Sequence, residues 1–267
     1  MGISIFSRHL STVDGFTGTI CSRAVPPQAE YLASRVSFLM ISLKNRLFTS
    51  GLINAYCQFA TEQLLGGCVT VVDRPYVYNV LAASHDLSAR RKQLRGIRRL
   101  SDERRRQAMK LIAKYDQERI KFVSWDQLAR STPKWLWAEV RTAFINKGPF
   151  YYDVLEQTQR NFARVVEVAL LERYARFLIE ETPVLLYCYY MFSGGVVDVY
   201  PGKNPDYFWR IERGDYAEEL PQTTALATTH PGLIYVDFRQ THRASIPTST
   251  VGAQPSGDPL APPGHPP

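Results

Sequence analysis

The sequence predicts an α/β fold in which a parallel β-sheet is covered by helices on both faces. Short, largely apolar runs typical of buried strands alternate with longer segments in which apolar residues recur at helical spacing. The chain has 267 residues, of which 45% are hydrophobic and 21% charged. That composition is ordinary for a globular protein with a large core, and it argues against a disordered, collagen-like or coiled-coil chain.

Each element follows from its local pattern. The apolar runs predict strands over residues 36–41, 68–72, 121–124, 184–191 and 233–238. Helical periodicity predicts helices over residues 50–65, 90–114, 126–144 and 151–181. The last of these helices is expected to end before Pro183, because proline disfavours the helical conformation of the residue before it.

The two ends of the chain differ from its centre. The first thirty residues contain glycine and proline breakers and are expected to be irregular. Residues 242–267 are rich in Pro, Ser, Gly and Thr and have almost nothing to bury. We therefore expect a single domain over residues 1–241, followed by a disordered tail.

Several classes of protein are disfavoured by what the sequence lacks. The longest apolar run, residues 184–192, is about half of the roughly 20 residues that a membrane helix needs. No basic segment followed by an apolar one is present near the N-terminus, and Phe6 stands where a myristoylation motif needs Ser or Thr. The four cysteines are scattered, without a CxxC pair. We therefore expect a cytoplasmic protein without disulfides or a zinc ribbon.

Positive charge is concentrated in one predicted helix. Residues 90–114 carry eleven Lys or Arg and two acidic residues in a chain of net charge +7, so the rest of the chain is nearly neutral. Leu94, Ile97, Leu100, Ala108 and Leu111 keep a rough helical period beneath these cations. The helix is either a solvated surface or a phosphate-binding surface, and the sequence leaves both open.

Candidate chemistry lies where ligands bind in open α/β sheets, beyond the carboxyl ends of the strands. Ser42 ends the first strand, Asp73 ends the second, and Glu181 ends the long helix. The common nucleotide and hydrolase motifs GxGxxG, GxxxxGK[ST] and GxSxG are absent, as are HxxxH and HExxH, so a metal site has little support.

Four segments in order resemble the cyclodipeptide synthases, enzymes that join two aminoacyl-tRNAs into a cyclic dipeptide (a diketopiperazine). The segment VSFLMISLKNRLFTSGLINAYCQFATEQLLGGCVTVVD is similar to the family's first strand, nucleophile turn, helix and second strand. The basic helix is similar to the family's tRNA-binding helix. The segment RFLIEETPVLLY is similar to the family's helix that has a glutamate two residues before a proline. The segment VVDVYPGKNPDYF is similar to its Tyr-Pro segment. The resemblance spans about residues 36–208.

The resemblance implies a Rossmann-like fold, similar to the catalytic domain of class I aminoacyl-tRNA synthetases, in a monomer that needs no cofactor or metal. It implies that Ser42 carries the aminoacyl group and then the dipeptidyl group, that Glu181 holds the amine and serves as a base, and that Tyr200 assists cyclisation. Two sets of binding residues also follow. The amino-acid substrates would contact Phe38, Met40, Asn45, Asp73, Tyr174, Phe177 and Pro201. The tRNA would contact Arg90, Arg91, Lys92, Arg95, Arg98, Arg99, Arg104, Arg105 and Arg106.

The sequence departs from the family pattern at two positions. The family usually has tyrosine four residues before the catalytic glutamate, where this chain has Phe177, so that hydroxyl is absent or is supplied elsewhere, with Tyr174 as one candidate. Asn45 is typical of one subfamily and Tyr200-Pro201 of the other, and we favour the Tyr-Pro subfamily.

Purely structural roles are also open for some of these residues. Asn45 and Asp73 are equally suited to satisfying turn or helix-end backbone, and Phe38 and Met40 to packing in the core. Two other functions also remain open: a tRNA-binding module without chemistry, and a synthetase-like adenylating enzyme, although the ATP-binding motifs of that class do not occur. The amino acids that are joined are not determined; Phe38 and Met40 favour an uncharged first residue, whereas a pocket acid such as Asp73 or Glu180 would favour a basic one.

Overall fold

A mixed β-sheet forms the centre of the computed structural model, which describes residues 6–9, 16–22, 29–83, 86–165, 167–191, 196–199, 206–229 and 234–240. Its strands are β1 (Phe6–His9), β2 (Phe16–Ser22), β3 (Val36–Ser42), β4 (Gly66–Val72), β5 (Ile120–Phe122), β6 (Val196–Val199) and β7 (Ile234–Gln240). The first helices are α1 (Ala29–Ala33), α2 (Ser50–Gln63), α3 (Tyr76–Ala83), α4 (Leu87–Ile112) and α5 (Trp125–Ser131). The remaining helices are α6 (Lys134–Ile145), α7 (Pro149–Asn161), α8 (Val168–Tyr190), α9 (Asp206–Glu212) and α10 (Pro221–Thr229).

The strand order is β1-β2-β7-β6-β3-β4-β5. The five strands from β7 to β5 are parallel, as predicted, whereas β1 pairs with β2 and β2 with β7 in antiparallel orientation. The prediction of an irregular start was therefore wrong for β1 and β2. Glycine at position 18 does not interrupt β2, because that strand is held by a seven-residue register with β7.

Helices cover both faces of the sheet, as the apolar strands predicted. Along β3, Phe38 and Met40 pack in one hydrophobic cluster and Leu39 and Ile41 in another, since successive side chains of a strand point to opposite faces. The first cluster also contains residues of α5 to α10, and the second contains residues of α2 and α4. The carboxyl end of β3 is thereby placed between two helical layers.

The largest difference from the sequence prediction is α8. Residues 184–191 were predicted as a strand, but they continue the helix that carries Glu181, with Pro183 inside it. Proline lacks an N–H, so it removes the helical hydrogen bond to the carbonyl of Ile179, yet the helix goes on because it is packed on several sides. Residues 182–186 and 188–190 are all buried, and a wholly apolar run does not distinguish a buried helix from a buried strand.

Two other predicted helices are divided. Residues 126–144 form α5 and α6, separated at Thr132 and Pro133, and residues 151–181 belong to α7 and α8. The predicted break at Gly148-Pro149 is confirmed, with Pro149 as the first residue of α7. The predicted tail at 242–267 lies outside the described residues.

Candidate active site

A cavity of about 400 Å³ opens at the carboxyl ends of β3 and β6. Side chains from the β3 end and its following turn, from α3, and from α7 to α9 surround it. Its lining residues are Met40, Ser42, Lys44, Asn45, Tyr76, Asn79, Gln157, Asn161, Phe162, Phe177, Leu178, Glu181, Leu185, Tyr189, Asp198, Tyr207 and Phe208. Six of the seventeen lining residues are apolar, three are tyrosines and eight are polar or charged, so the cavity offers both apolar walls and several hydrogen-bonding groups.

The structure brings Ser42 and Glu181 together in this cavity, although 138 residues separate them in the chain. Ser42 is the last residue of β3, so the parallel sheet presents its hydroxyl at the edge where ligands bind. Glu181 lies on α8 among buried apolar residues. The pair thus combines a hydroxyl nucleophile with a carboxyl group in one enclosed space.

The Glu181 carboxyl is held in an environment that opposes its charge. Burial, and secondly the charge of Asp198, raise the pKa of Glu181 from its usual range to about 8. At neutral pH this carboxyl is therefore mostly protonated. A cationic group in the cavity would lower that pKa, because an opposite charge favours the carboxylate.

Asp198 was missed by the sequence reasoning and is a neighbour of Glu181 in the site. It lies on β6, where its Cα pairs with that of Phe38, and it is only 2% exposed. The Tyr189 hydroxyl donates a hydrogen bond to its carboxylate over 2.9 Å. The signal was present in the sequence as a lone acid in the apolar run VVDV, but without the strand pairing nothing linked it to Ser42.

Tyr76 is a second missed residue, and it lines the cavity together with Ser42. Its phenol lies near enough to the Ser42 side chain, to the backbone of Lys44 and to Glu181 for each of them to act on its pKa. Its ring packs edge-on against Phe177, with ring centroids 5.2 Å apart. As the first residue of α3, Tyr76 follows β4 by four positions, and only the parallel pairing of β3 with β4 places it beside Ser42.

The predicted amino-acid contacts divide between the cavity and the core. Met40 and Phe177 line the cavity, whereas Phe38 is fully buried in the core and is not among the lining residues. Asn45 lines the cavity and also accepts a hydrogen bond from the Leu47 N–H over 2.9 Å. It therefore stabilises the turn after β3, as its alternative interpretation held.

Asp73 and Tyr174 lie away from the cavity. Asp73 accepts a hydrogen bond from Ser101 over 2.7 Å and forms an ion pair with Arg105, so it fastens α4 to the end of β4. Tyr174 stacks on Phe162, with centroids 4.3 Å apart, and lines a neighbouring groove. The other acid considered, Glu180, lies on a different side of α8 from Glu181 and is paired with Arg141 at 2.8 Å.

The basic helix is confirmed as α4, with Asp86 capping its first turn through the N–H groups of Ser88 and Ala89. Three of the predicted tRNA contacts are partly buried and bound to the protein itself: Arg90 donates to Leu81 O, Arg104 to Phe48 O, and Arg105 to Asp73. The other six are exposed: Arg91, Lys92, Arg95, Arg98, Arg99 and Arg106. We call these six the cationic face.

A groove of about 470 Å³ connects this helix with the cavity. It shares Lys44, Tyr76, Asn79 and Phe162 with the cavity, and its other lining residues are Val80, Ala83, Gln93, Gly96, Ile97, Leu100 and Tyr174. The Oδ1 atom of Asn79 is buried and has no hydrogen-bond partner among the described residues. We call this feature the α4 groove; its lining includes the stacked rings of Phe162 and Tyr174.

Tyr200 and Pro201 lie outside the described residues. Within the parts of the chain that are described, no group of three or more His, Cys, Asp or Glu side chains is placed to hold a metal ion. No helix in those same parts is long and apolar enough to cross a membrane.

Solved structures with a similar fold include cyclodipeptide synthases. One from Streptomyces noursei is 16% identical and has a TM-score of 0.53, with 65% of this chain and 86% of that chain covered. One from Bacillus thermoamylovorans is 13% identical, with a TM-score of 0.57 and 79% and 90% covered. A Mycobacterium tuberculosis protein, described as showing that these enzymes are related to type I tRNA synthetases, is 14% identical, with a TM-score of 0.57 and 77% and 88% covered.

No protein-family model and no curated protein sequence matches the chain. At such low identity the structural likeness concerns the fold. The chain has the α/β fold found in these cyclodipeptide synthases, with a parallel sheet covered by helices on both faces.

Proposed function

We propose that this chain is a tRNA-dependent cyclodipeptide synthase, an aminoacyltransferase that acts in the cytoplasm as a monomer. The observation that carries the proposal is the cavity in which Ser42 and Glu181 meet, and which adjoins the α4 groove along the helix that carries the cationic face. The structural relatives named above are cyclodipeptide synthases, which supports the same reaction here.

The first step transfers an aminoacyl group to Ser42. The Ser42 oxygen attacks the ester carbonyl of an aminoacyl-tRNA, the seryl ester forms, and the bond to the ribose oxygen breaks. The serine proton ends on that ribose oxygen, which leaves as the free hydroxyl of the tRNA. Because the substrate ester is already activated, the step balances without ATP, a metal or a redox cofactor.

The second and third steps build and close the dipeptide. The amine of the seryl-bound residue attacks the ester of a second aminoacyl-tRNA, which gives a dipeptidyl-serine and a second free tRNA. The terminal amine of the dipeptide then attacks the seryl ester, which closes the ring and restores the Ser42 hydroxyl. Glu181 holds the amino group and takes its proton, a role that suits a carboxyl whose pKa is about 8.

The remaining predicted residues have narrower proposed roles. Met40 and Phe177 form an apolar wall for the first amino acid, and Tyr200, with Pro201, assists cyclisation as in the Tyr-Pro subfamily. The cationic face holds the acceptor stem through its phosphates, which positions the tRNA without reading its sequence.

The test is production of cyclic dipeptides by a bacterial host that expresses the full chain. Mass spectrometry of the spent medium is expected to show diketopiperazines that are absent with Ser42→Ala and retained with Ser131→Ala, an exposed serine outside the cavity. The purified wild type, incubated with mixed aminoacyl-tRNAs, is expected to carry an acyl adduct on Ser42.

A tRNA-binding module without chemistry is the second candidate, since the cationic face and the groove fit it equally well. It would bind tRNA and give neither product nor adduct. That outcome, or an unchanged product pattern with Ser42→Ala, would reject the synthase.

A further inference from the structure

Phe177 stands where a hydroxyl is expected beside the reacting amine, and its neighbour Tyr76 carries one. The two rings are in edge-on contact, with centroids 5.2 Å apart, and both line the cavity beside Ser42 and Glu181. We propose that the Tyr76 hydroxyl positions the amino group of the seryl-bound residue, in place of the hydroxyl that Phe177 lacks. This role rests on the synthase activity proposed above.

The position of the Tyr76 oxygen follows from its contacts. Its ring lines the same cavity as Ser42, and its hydroxyl is near enough to the Ser42 side chain and to the Lys44 backbone for both to lower its pKa. Once Ser42 is acylated, the amino group lies only a few covalent bonds from Oγ. A hydroxyl near Oγ therefore lies within reach of that amine as well.

The chemical state of Tyr76 suits a positioning group. Burial raises the pKa of its phenol above the usual range of tyrosine, so the hydroxyl keeps its proton at neutral pH. A neutral hydroxyl both donates and accepts, so it can hold an ammonium group and later the free amine, whereas Glu181 takes the proton. Lys44 Nζ lies 5.7 Å from the centre of the Tyr76 ring, a cation–π contact that helps to hold the ring in place.

Tyr174, the candidate that the sequence suggested for this hydroxyl, is placed elsewhere. It stacks on Phe162 and lines the α4 groove, but it is not among the residues that line the cavity. Tyr174 precedes Phe177 by about one turn of α8, and at that level of the helix it lines the α4 groove and not the cavity. Tyr76 comes from another element, so no spacing within α8 could have indicated it.

The experiment removes the hydroxyl and then returns it at the neighbouring position. The variants are Tyr76→Phe, Phe177→Tyr and the double variant, with Tyr152→Phe as a matched control at an exposed tyrosine. Each full-length protein is incubated with mixed aminoacyl-tRNAs, and intact-protein mass spectrometry follows the Ser42 adduct while the cyclic dipeptide is quantified. Thermal unfolding shows whether each variant is folded.

With Tyr76→Phe we expect the Ser42 adduct to form and persist while the cyclic dipeptide falls at least about tenfold, as for the loss of one hydrogen bond to a charged group. The double variant is expected to recover much of the product, which a purely structural role for Tyr76 would not give. Wild-type turnover in Tyr76→Phe, or a loss that Phe177→Tyr does not restore, would overturn the role of Tyr76.

These outcomes separate the two proposals. If the wild type gives neither adduct nor product, the synthase activity itself fails. If the wild type is active and Phe177→Tyr alone does not fold, persistence of the adduct in Tyr76→Phe decides: a persistent adduct supports amine positioning, and an absent adduct rejects it.

Discussion

Glu181 is an acid in an environment that disfavours its charge, and a second acid lies nearby. Burial is the first cause of the raised pKa, and the charge of Asp198 is the second. Asp198 in turn accepts a hydrogen bond from Tyr189, which is itself buried. Such an arrangement has little value for stability, since each buried acid costs free energy, and it is typical of sites that transfer protons.

This arrangement predicts a pH shift for Asp198→Asn. Removal of the Asp198 charge removes one cause that raises the pKa of Glu181, so that pKa falls while remaining above its usual value because of burial. If deprotonated Glu181 is the base, the activity of the wild type is expected to rise with pH near about 8. In the variant the same rise is expected at lower pH. The measurement is the pH profile of kcat/KM for cyclic dipeptide formation.

Two features make this comparison clean. Asparagine keeps an acceptor for the Tyr189 hydroxyl, so the buried hydrogen bond is retained. Glu180→Gln removes a negative charge from the neighbouring position, but Glu180 is paired with Arg141 on a different side of α8 and should leave the profile in place. If the pH profile shifts equally in both variants, or in neither, the charge of Asp198 is not what raises the pKa of Glu181.

At the scale of elements, the fastening of α4 determines what its arginines can do. Arg105 is paired with Asp73 at the end of β4, and Arg104 donates to Phe48 O over 2.8 Å. These partly buried cations fix the helix against the sheet, so the exposed ones are held in a defined orientation. Counting charges in the sequence could not separate these two groups, because both occur within the same run.

The α4 groove predicts opposite results for two substitutions of Gly96. A Cβ atom at this glycine would meet no other atom within 4 Å, so the methyl group of an alanine fits without a clash. Gly96→Ala is expected to leave activity unchanged and to raise the free energy of unfolding by roughly 0.5–1 kcal/mol, because alanine loses less backbone entropy in a helix. Gly96→Phe is expected to fill the groove and lower cyclic dipeptide formation.

Thermal unfolding and product yield are the two measurements for this pair. The alanine variant controls for the change of backbone at position 96, so a loss confined to the phenylalanine variant points to the groove itself. Full activity of Gly96→Phe in a folded protein would mean that the tRNA end reaches Ser42 by another path.

At the scale of the whole molecule, the uneven charge predicts how tRNA is held. The chain is nearly neutral apart from the segment that forms α4. Replacement of Arg95, Arg98 and Arg99 by Ala is therefore expected to weaken tRNA binding. It is also expected to reduce the magnitude of the slope of the logarithm of the tRNA association constant against the logarithm of salt concentration by about two to three, since each phosphate contact contributes roughly 0.7–0.9. Fluorescence anisotropy at several salt concentrations measures both quantities.

The matched control changes the same net charge elsewhere. Lys121, Arg130 and Lys134 are exposed on β5, α5 and α6, and their joint replacement by Ala should leave the salt slope nearly unchanged. If the two triple variants lose tRNA binding equally, the protein attracts tRNA by its overall charge, and the cationic face is not a specific tRNA-binding surface.

The sequence by itself determined the elements whose patterns are local. The apolar runs of β3 and β4, the charged periodicity of α4 and the proline at the start of α7 identified those elements, and strands without polar positions predicted a sheet covered on both sides. Ser42 and Glu181 were named from a resemblance in their immediate neighbours along the chain, and both line the cavity.

The tertiary structure decided what depends on contacts between distant residues. It kept α8 helical through Pro183 because the surrounding elements bury residues that in isolation favour a strand. It placed Asp198 and Tyr76 beside the predicted pair, and it assigned Asp73 to fastening α4 and Phe38 to the core. Side-chain neighbours across a parallel sheet come from strands far apart in sequence, so only the pairing of β6, β3 and β4 could reveal them.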